Sequence, residues 1–185
     1  MFERHKTSIP GCYQIQPNVR LDKRGQFVKT FHTEYFKKNK LETNFKEQYY
    51  SISKKGVLRG MHFQVPPFGH SKLVYCTAGA ILDVALDLRK NSPTFLKHIS
   101  LKLSADQANM IYLPEGLAHG FLSLEDATVI YNVSTVYKPE ADLGILWSSI
   151  GMDWPDTQPK LSERDESFQS LEEFESPFEF RSYQQ

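Results

Sequence analysis

Neither sign of charge is in surplus: 22 Lys and Arg stand against 22 Asp and Glu, for a formal net charge of +0. Without a global field the chain has no long-range means of recruiting nucleic acid or an anionic membrane. Neither is an expected partner, and an anionic ligand must be held by local charges. Cysteine is scarce. Cys12 and Cys76 lie far apart with no C-x-x-C spacing, which excludes a disulfide framework or a zinc knuckle and leaves two reduced, structural thiols. No apolar run approaches the roughly 18 residues a membrane helix needs. The opening MFERHKTSIPG has too few apolar side chains for a secretory leader, so the expected location is cytoplasmic. Internal repeats and low-complexity tracts are also missing. Hydrophobic residues at 40%, aromatics at 13% and charged residues at 24% are those of a folded protein, and 185 residues suffice for one good core.

Helical periodicity is equally sparse, and short β-type runs replace it. GCYQIQPNVRLDKRGQFVKTFH alternates about an Asp-Lys-Arg-Gly turn; QYYSIS, GVLRGMHFQ, KLVYCTAGAILDVALDLR (broken at Ala78-Gly79), HISLKLS, NMIYLP, HGFLSL and TVIYNVSTVY follow. The pattern predicts an all-β protein, an antiparallel sandwich or barrel with the jelly roll among the candidates. Short helices are expected only at TEYFKKNKLE and at SLEEFES, where Ser170 and Glu173 have capping-box spacing. One domain is expected over 1–185: an N-terminal hairpin region and short helix in 1–50, a barrel core in 51–150, and a Ser-, Glu-, Gln- and Pro-rich tail in 151–185 that packs on the barrel.

Chemistry concentrates in GVLRGMHFQVPPFGHSKLV, residues 56–74, where Arg59, His62, Gln64, His70 and Lys72 sit in an apolar, strand-like stretch. Cationic and imidazole groups on a buried strand are costly unless something uses them. A metal-binding cupin would present G-x5-H-x-H, then a glutamate, and later P-x-G-x-x-H. Gly56, His62, Pro114, Gly116 and His119 fit, but Gln64 replaces the second histidine and the acidic position is empty, so no metal is expected. Acid–base chemistry on an anionic ligand suits the remaining set better. Strand parity sets Arg59 and His62, three apart, on opposite faces; either a bulge at Gly60 re-aims them or one side chain leaves the barrel. Tyr131 and Tyr137, six apart, share a face if their strand is regular. Asp165 alone reads as loop surface, and His70 and His98 receive no role.

Taken together, LDKRGQF, GVLRGMHFQ, KLVYCTAGAILDVALDLRKNSPTF, YLPEGLAHGF, YNVSTVYKPEADLGILW, DWP and LSERD resemble the dTDP-4-dehydrorhamnose 3,5-epimerases, the RmlC-like branch of the cupin jelly rolls, over nearly the whole chain. The resemblance implies a double-sheet jelly roll with short peripheral helices and an enzyme of nucleotide-sugar and polysaccharide biosynthesis that inverts C3 and C5 of a 4-keto-6-deoxyhexose. It needs no cofactor. The resemblance also implies His62 as base, Asp165 from the tail as its hydrogen-bonded carboxylate, Tyr131 as acid and Lys72 as the cation at the C4 oxygen. Arg59 would meet the diphosphate, with Gln64, His119 and Tyr137 further substrate-side residues. It further implies a homodimer whose N-terminal strands exchange, bringing Arg24 and Phe27 to the neighbour's nucleotide site.

Three positions depart from the family pattern. Lys29 stands where the first hairpin usually carries Glu, and Glu47 and Tyr49 stand where Gln-x-Asn is usual. All three are expected on the substrate side. Lys29 would suit a base presenting an acceptor, such as cytosine or guanine, over thymine's N3–H donor. Two rivals therefore stand beside the 3,5-epimerase: a 3-only or 5-only epimerase or 3,4-ketoisomerase acting on a CDP- or GDP-linked 4-keto sugar, and a non-enzymatic cupin that binds a sugar nucleotide.

Overall fold

A computed structural model describes residues 2–181; the tail's last four residues lie outside them. The strands in chain order are β1 (Phe2–Lys6), β2 (Tyr13–Pro17), β3 (Val19–Asp22), β4 (Gly25–Val28), β5 (Glu47–Ser53), β6 (Leu58–Gln64), β7 (Lys72–Ala78), β8 (Ala80–Asp87), β9 (His98–Ser104), β10 (Met110–Leu113), β11 (Leu117–Ser123), β12 (Ala127–Val133) and β13 (Asp142–Gly144). Among the described residues two helices, α1 (Thr33–Lys38) and the single turn α2 (Glu163–Glu166), complete the set with one 3-10 turn at Trp147–Ser149. Among the described residues no helix is long and apolar enough to cross a membrane.

A six-stranded sheet in the order β1-β2-β10-β7-β12-β5 faces a five-stranded sheet in the order β13-β6-β11-β8-β9, and every paired strand is antiparallel. This is the expected cupin-type jelly roll. Alternation places Val74, Cys76, Ile81, Ala85, Phe121 and Val129 in the core between the sheets. The alternate residues are buried too, because the outer faces are also covered. Phe36 of α1, with Phe31, Leu41 and Phe45, lies on Leu73 and Tyr75 of the six-stranded sheet. Trp154, Leu161, Leu171, Phe174 and Phe178 lie on Val84 and Leu86 of the five-stranded one. That double coverage explains why KLVYC and AILDVALD read as near-continuous apolar runs. Fully burying Phe36 alone is worth about 1.5–3 kcal/mol.

Two sequence expectations change. SLEEFES is a turn, not a helix: the Ser170 amide donates to Glu173 Oε2 at 3.1 Å as in a capping box, but the Ser170 hydroxyl donates to the same oxygen at 3.0 Å and the Glu173 amide goes to the Ser170 carbonyl at 3.2 Å. Pro177 disfavours helix at Ser176, which leaves too few residues to propagate one, and Leu171 and Phe174 are held by the sheet. Tyr137 is not on the strand of Tyr131, since β12 ends at Val133.

Of the two alternatives at Arg59 and His62, the bulge is the one present. Opposite β11, the two-residue step from His119 to Phe121 spans the three-residue step from His62 to Arg59. Gly60 sits at φ +144°, and a Cβ there would lie 2.5 Å from the Gly120 Cα. Only glycine tolerates both the dihedral and the backbone approach. Gly60→Ala is expected to cost about 2–4 kcal/mol, read as a lower urea midpoint; an unchanged midpoint would show that β6 and β11 can part at no cost.

Candidate active site

A cavity of about 380 Å³ opens between the sheets. It is lined by Glu47, Tyr49, Arg59, His62, Gln64, Lys72, His119, Tyr131 and Tyr137, together with Ser51, His70, Asp142 and Arg164, which the sequence reading gave no role. The bulge turns Arg59 and His62 into the same space. From the facing sheet, β12 presents Tyr131 and β7 presents Lys72, the first of the inward-pointing residues 72, 74 and 76.

His62 donates from Nε2 to Asp165 Oδ1 at 2.8 Å. The bond fixes the tautomer and leaves Nδ1 as the ring nitrogen able to accept a proton. Asp165 is a buried residue of α2, not loop surface. Its Oδ2 accepts from the Gly60 amide at 3.2 Å, and its own amide donates to the helix-capping Ser162 Oγ at 3.1 Å. Burial works against ionisation of Asp165, but the His62 bond together with Gly60 and Ser162 holds its carboxyl below the usual range. Phe168 meets the His62 ring edge-on at 5.6 Å.

Lys72 is buried, and its Nζ donates to the His62 carbonyl at 3.3 Å. Burial lowers its pKa to about 8, against the pull of Asp142 and Asp83. Tyr131 is buried with its hydroxyl 3.1 Å from Ser51 Oγ. Burial pushes this phenol well above its ordinary pKa; the Ser51 hydrogen bond opposes the shift, while Tyr49 and Asp83 add to it. Tyr131 is thus a proton-bearing group at neutral pH. His119 is buried against Asp83, Nε2 to Oδ2 2.7 Å, and burial outweighs that carboxylate to lower its pKa. Nothing in AILDVALD marks Asp83 as facing inward, because both faces of that strand are apolar.

Gln64 is a wall of the cavity with its amide already engaged. Nε2 donates to the Phe68 carbonyl at 2.9 Å and Oε1 accepts from the Lys138 amide at 2.6 Å, pinning two loops. Glu47 Oε1 accepts from the Tyr137 amide at 3.0 Å. Arg59 Nε donates to Ser53 Oγ at 2.9 Å. His70 is pushed down to about 3 by burial, with Lys72 and His119 adding to the shift. Arg164 pairs with Asp142 at 2.6 Å at the cavity wall.

Arg24, Phe27 and Lys29 do not line this cavity. The β3–β4 hairpin, joined by an Asp22 turn whose carboxylate accepts from the Arg24 amide at 2.8 Å, leaves all three exposed. The cupin metal site is likewise not assembled. His62 and His119 are register partners, but each imidazole is bonded to its own carboxylate. Among the described residues no group of three His, Cys, Asp or Glu could hold an ion.

An oriented imidazole on one sheet, a neutral phenol on the other and a buried amine beside them define a class: jelly-roll isomerases of the cupin type. The family model described as dTDP-4-dehydrorhamnose 3,5-epimerase matches residues 6–173, and the chain belongs to that family. The enzyme of that name from Methanothermobacter thermautotrophicus is 43% identical over 179 residues, covering 93% of this chain and 96% of the relative. The crystal structure of a dTDP-6-deoxy-D-glucose-3,5-epimerase from Legionella pneumophila, in complex with dTDP-4-keto-L-rhamnose, superposes with a TM-score of 0.93 at 30% identity, covering 98% and 100% of the two chains. ChmJ, a 3'-monoepimerase from Streptomyces bikiniensis in complex with dTDP-quinovose, superposes with a TM-score of 0.86 at 34% identity, covering 91% and 87%. The fold thus hosts both double and single inversion.

The buried amine carries a stability signature. With Lys72 near 8 in the folded chain and about 10.4 unfolded, the cost of its charge is fully present below pH 8 and fades as pH rises to 10.4. Lys72→Met is therefore expected to gain a few kcal/mol at pH 7, shrinking toward zero by pH 10.5, in denaturant titrations beside the parent; a gain that does not change with pH would mean that the amine is not desolvated.

Proposed function

We propose that the protein inverts C3 and C5 of a dTDP-linked 4-keto-6-deoxyhexose by proton removal and return. The observation that carries this reading is the facing of His62, held by Asp165, and Tyr131 across one cavity beside Lys72. The C4 ketone acidifies the neighbouring C–H bonds. Nδ1 of His62 takes the proton, the C–H electron pair moves through the ring carbon to the C4 oxygen, and the Lys72 ammonium meets the charge that develops there. Tyr131 then gives its hydroxyl proton to the opposite face, which inverts the centre, and solvent restores both groups. Nothing is oxidised, so no redox cofactor is called for.

Arg59 and His119 are suited to the diphosphate and the sugar, and Tyr137 to a flanking wall of the site. Glu47 shapes the sugar side, Tyr49 backs the Tyr131 ring, and Gln64 contributes through the loops it pins. Lys29, exposed on the hairpin, favours cytosine or guanine over thymine only if a neighbouring chain brings it to the base; family membership makes dTDP the first choice. Two buried thiols and a nucleotide-sugar substrate agree with a cytoplasmic place of action.

In deuterium oxide, the dTDP-linked substrate should acquire label at both carbons. Label at one carbon would instead indicate a single-site epimerase, a migrated carbonyl a ketoisomerase, and faster turnover of CDP- or GDP-linked analogues a changed base. His62→Ala should abolish labelling and Tyr131→Phe should reduce inversion by at least about a hundredfold, with dTDP binding little altered; near-parental rates in either variant would remove that residue from the mechanism.

The assembly belongs to the same proposal. The edge strand β5 exposes Tyr50 and Ile52, and the β3–β4 hairpin exposes Leu21 and Phe27. A homodimer in which each hairpin adds to the other's β5 edge would bury both patches and carry Arg24 and Phe27 to the neighbour's cavity. Sedimentation should give twice the chain mass, and mixing Arg24→Ala with His62→Ala should regain activity, since one of the two mixed sites is then intact. A monomer, or no regain despite mixed dimers, would refute the exchange.

A further inference from the structure

Tyr49 occupies a position where the sequence leaves its family's pattern, and its surroundings give it a task other than gripping substrate. Strand β5 pairs with β12 so that Tyr49 lies directly across from Tyr131. Their rings stack with centroids 4.8 Å apart and planes 20° from parallel. Two residues on, Ser51 reaches the Tyr131 hydroxyl at 3.1 Å. His119 closes a further side, edge-on at 6.3 Å and 74°. The Tyr131 ring is thus confined by a stacked face, an edge and a hydrogen bond. Tyr49 itself remains 45% exposed, so it is not there to fill the core.

We propose that Tyr49 is a positioning residue for Tyr131, its stacked ring holding the phenol on the face of the enolate opposite His62. The proposal rests on the reading of Tyr131 as the acid. An asparagine, usual here in the family, offers no ring to stack upon. A stack of this kind biases an aromatic orientation by roughly twofold to tenfold. Proton delivery to a planar carbon is sensitive to alignment. When the phenol is out of line, the enolate still forms, because His62 and Lys72 are untouched. His62, whose side chain is 28% exposed, trades that proton with solvent and returns one to the face it left: a C–H bond is remade there and the substrate is regenerated without inversion. Loss of Tyr49 should therefore uncouple exchange from epimerisation.

The test uses a dTDP-4-keto-6-deoxyhexose carrying tritium at C3 and C5, with two readouts: tritium release, which needs only the base, and epimer formation, which also needs the acid. In Tyr49→Ala, epimer formation is expected to fall roughly tenfold while tritium release stays within about twofold, at little-changed KM. Tyr49→Phe, which keeps the stack, should match the parent in both. If Tyr49→Ala slows both readouts equally or neither, or if Tyr49→Phe is as impaired as the alanine variant, Tyr49 does not act through Tyr131 and the proposal is overturned. Tyr131→Phe reports separately on the acid: undiminished epimer formation in that variant would remove the role of Tyr131 itself, and that of Tyr49 with it.

Discussion

Between Arg59 and His62 strand β6 gains one residue on β11, and the gain is possible only because Gly60 meets Gly120 backbone to backbone. The rest of the cavity depends on that local geometry. It brings a guanidinium and an imidazole that parity would separate into one space. It also turns the Gly60 amide toward Asp165, so that the carboxylate orienting His62 is itself oriented by the bulge. A single backbone irregularity thus sets which side chains share the cavity and how the imidazole stands in it.

Around this arrangement the protein distributes burial unevenly. The same low-dielectric interior keeps the Tyr131 proton on and loosens the Lys72 proton, because in each case it is the charged form that loses solvation. Asp165 escapes the trend through its hydrogen bonds and the electrostatic pull of His62. Burial thereby moves the phenol and the amine in opposite directions on a scaffold whose net charge is zero.

Much of the fold was legible because period-two alternation and turn residues punctuate the chain: the hairpin at Asp22–Gly25 and the break at Ala78-Gly79 were readable from residues alone, and the bulge at Gly60 as one of two alternatives. SLEEFES was misread because capping-box spacing is identical in a turn and in a helix start, and Pro177 and the sheet beneath decide between them. The roles of His62, Tyr131 and Asp165 rested on family resemblance, since no local pattern links positions 62 and 165. Tyr137 shares the cavity with Tyr131 through a loop held by Glu47, not through strand parity. Asp83, Asp142 and Arg164 went unread because their partners are distant in sequence. Gln64, expected on the substrate side, lines the cavity while its amide bonds two loops, which only three-dimensional bonding reveals. Arg24, Phe27 and Lys29 lie outside the cavity of their own chain, so their contribution depends on a neighbour.

The carboxylate partner of His62 comes 103 residues later in the chain, on a segment that crosses the outside of the five-stranded sheet. Closing so long a loop is entropically slow, and every strand of both sheets has been synthesised before Asp165 exists. During synthesis, therefore, the barrel strands and the phenol of Tyr131 are present while the imidazole still lacks its anchor. The bond that orients the His62 ring is thus among the last contacts of the cavity that the growing chain can form.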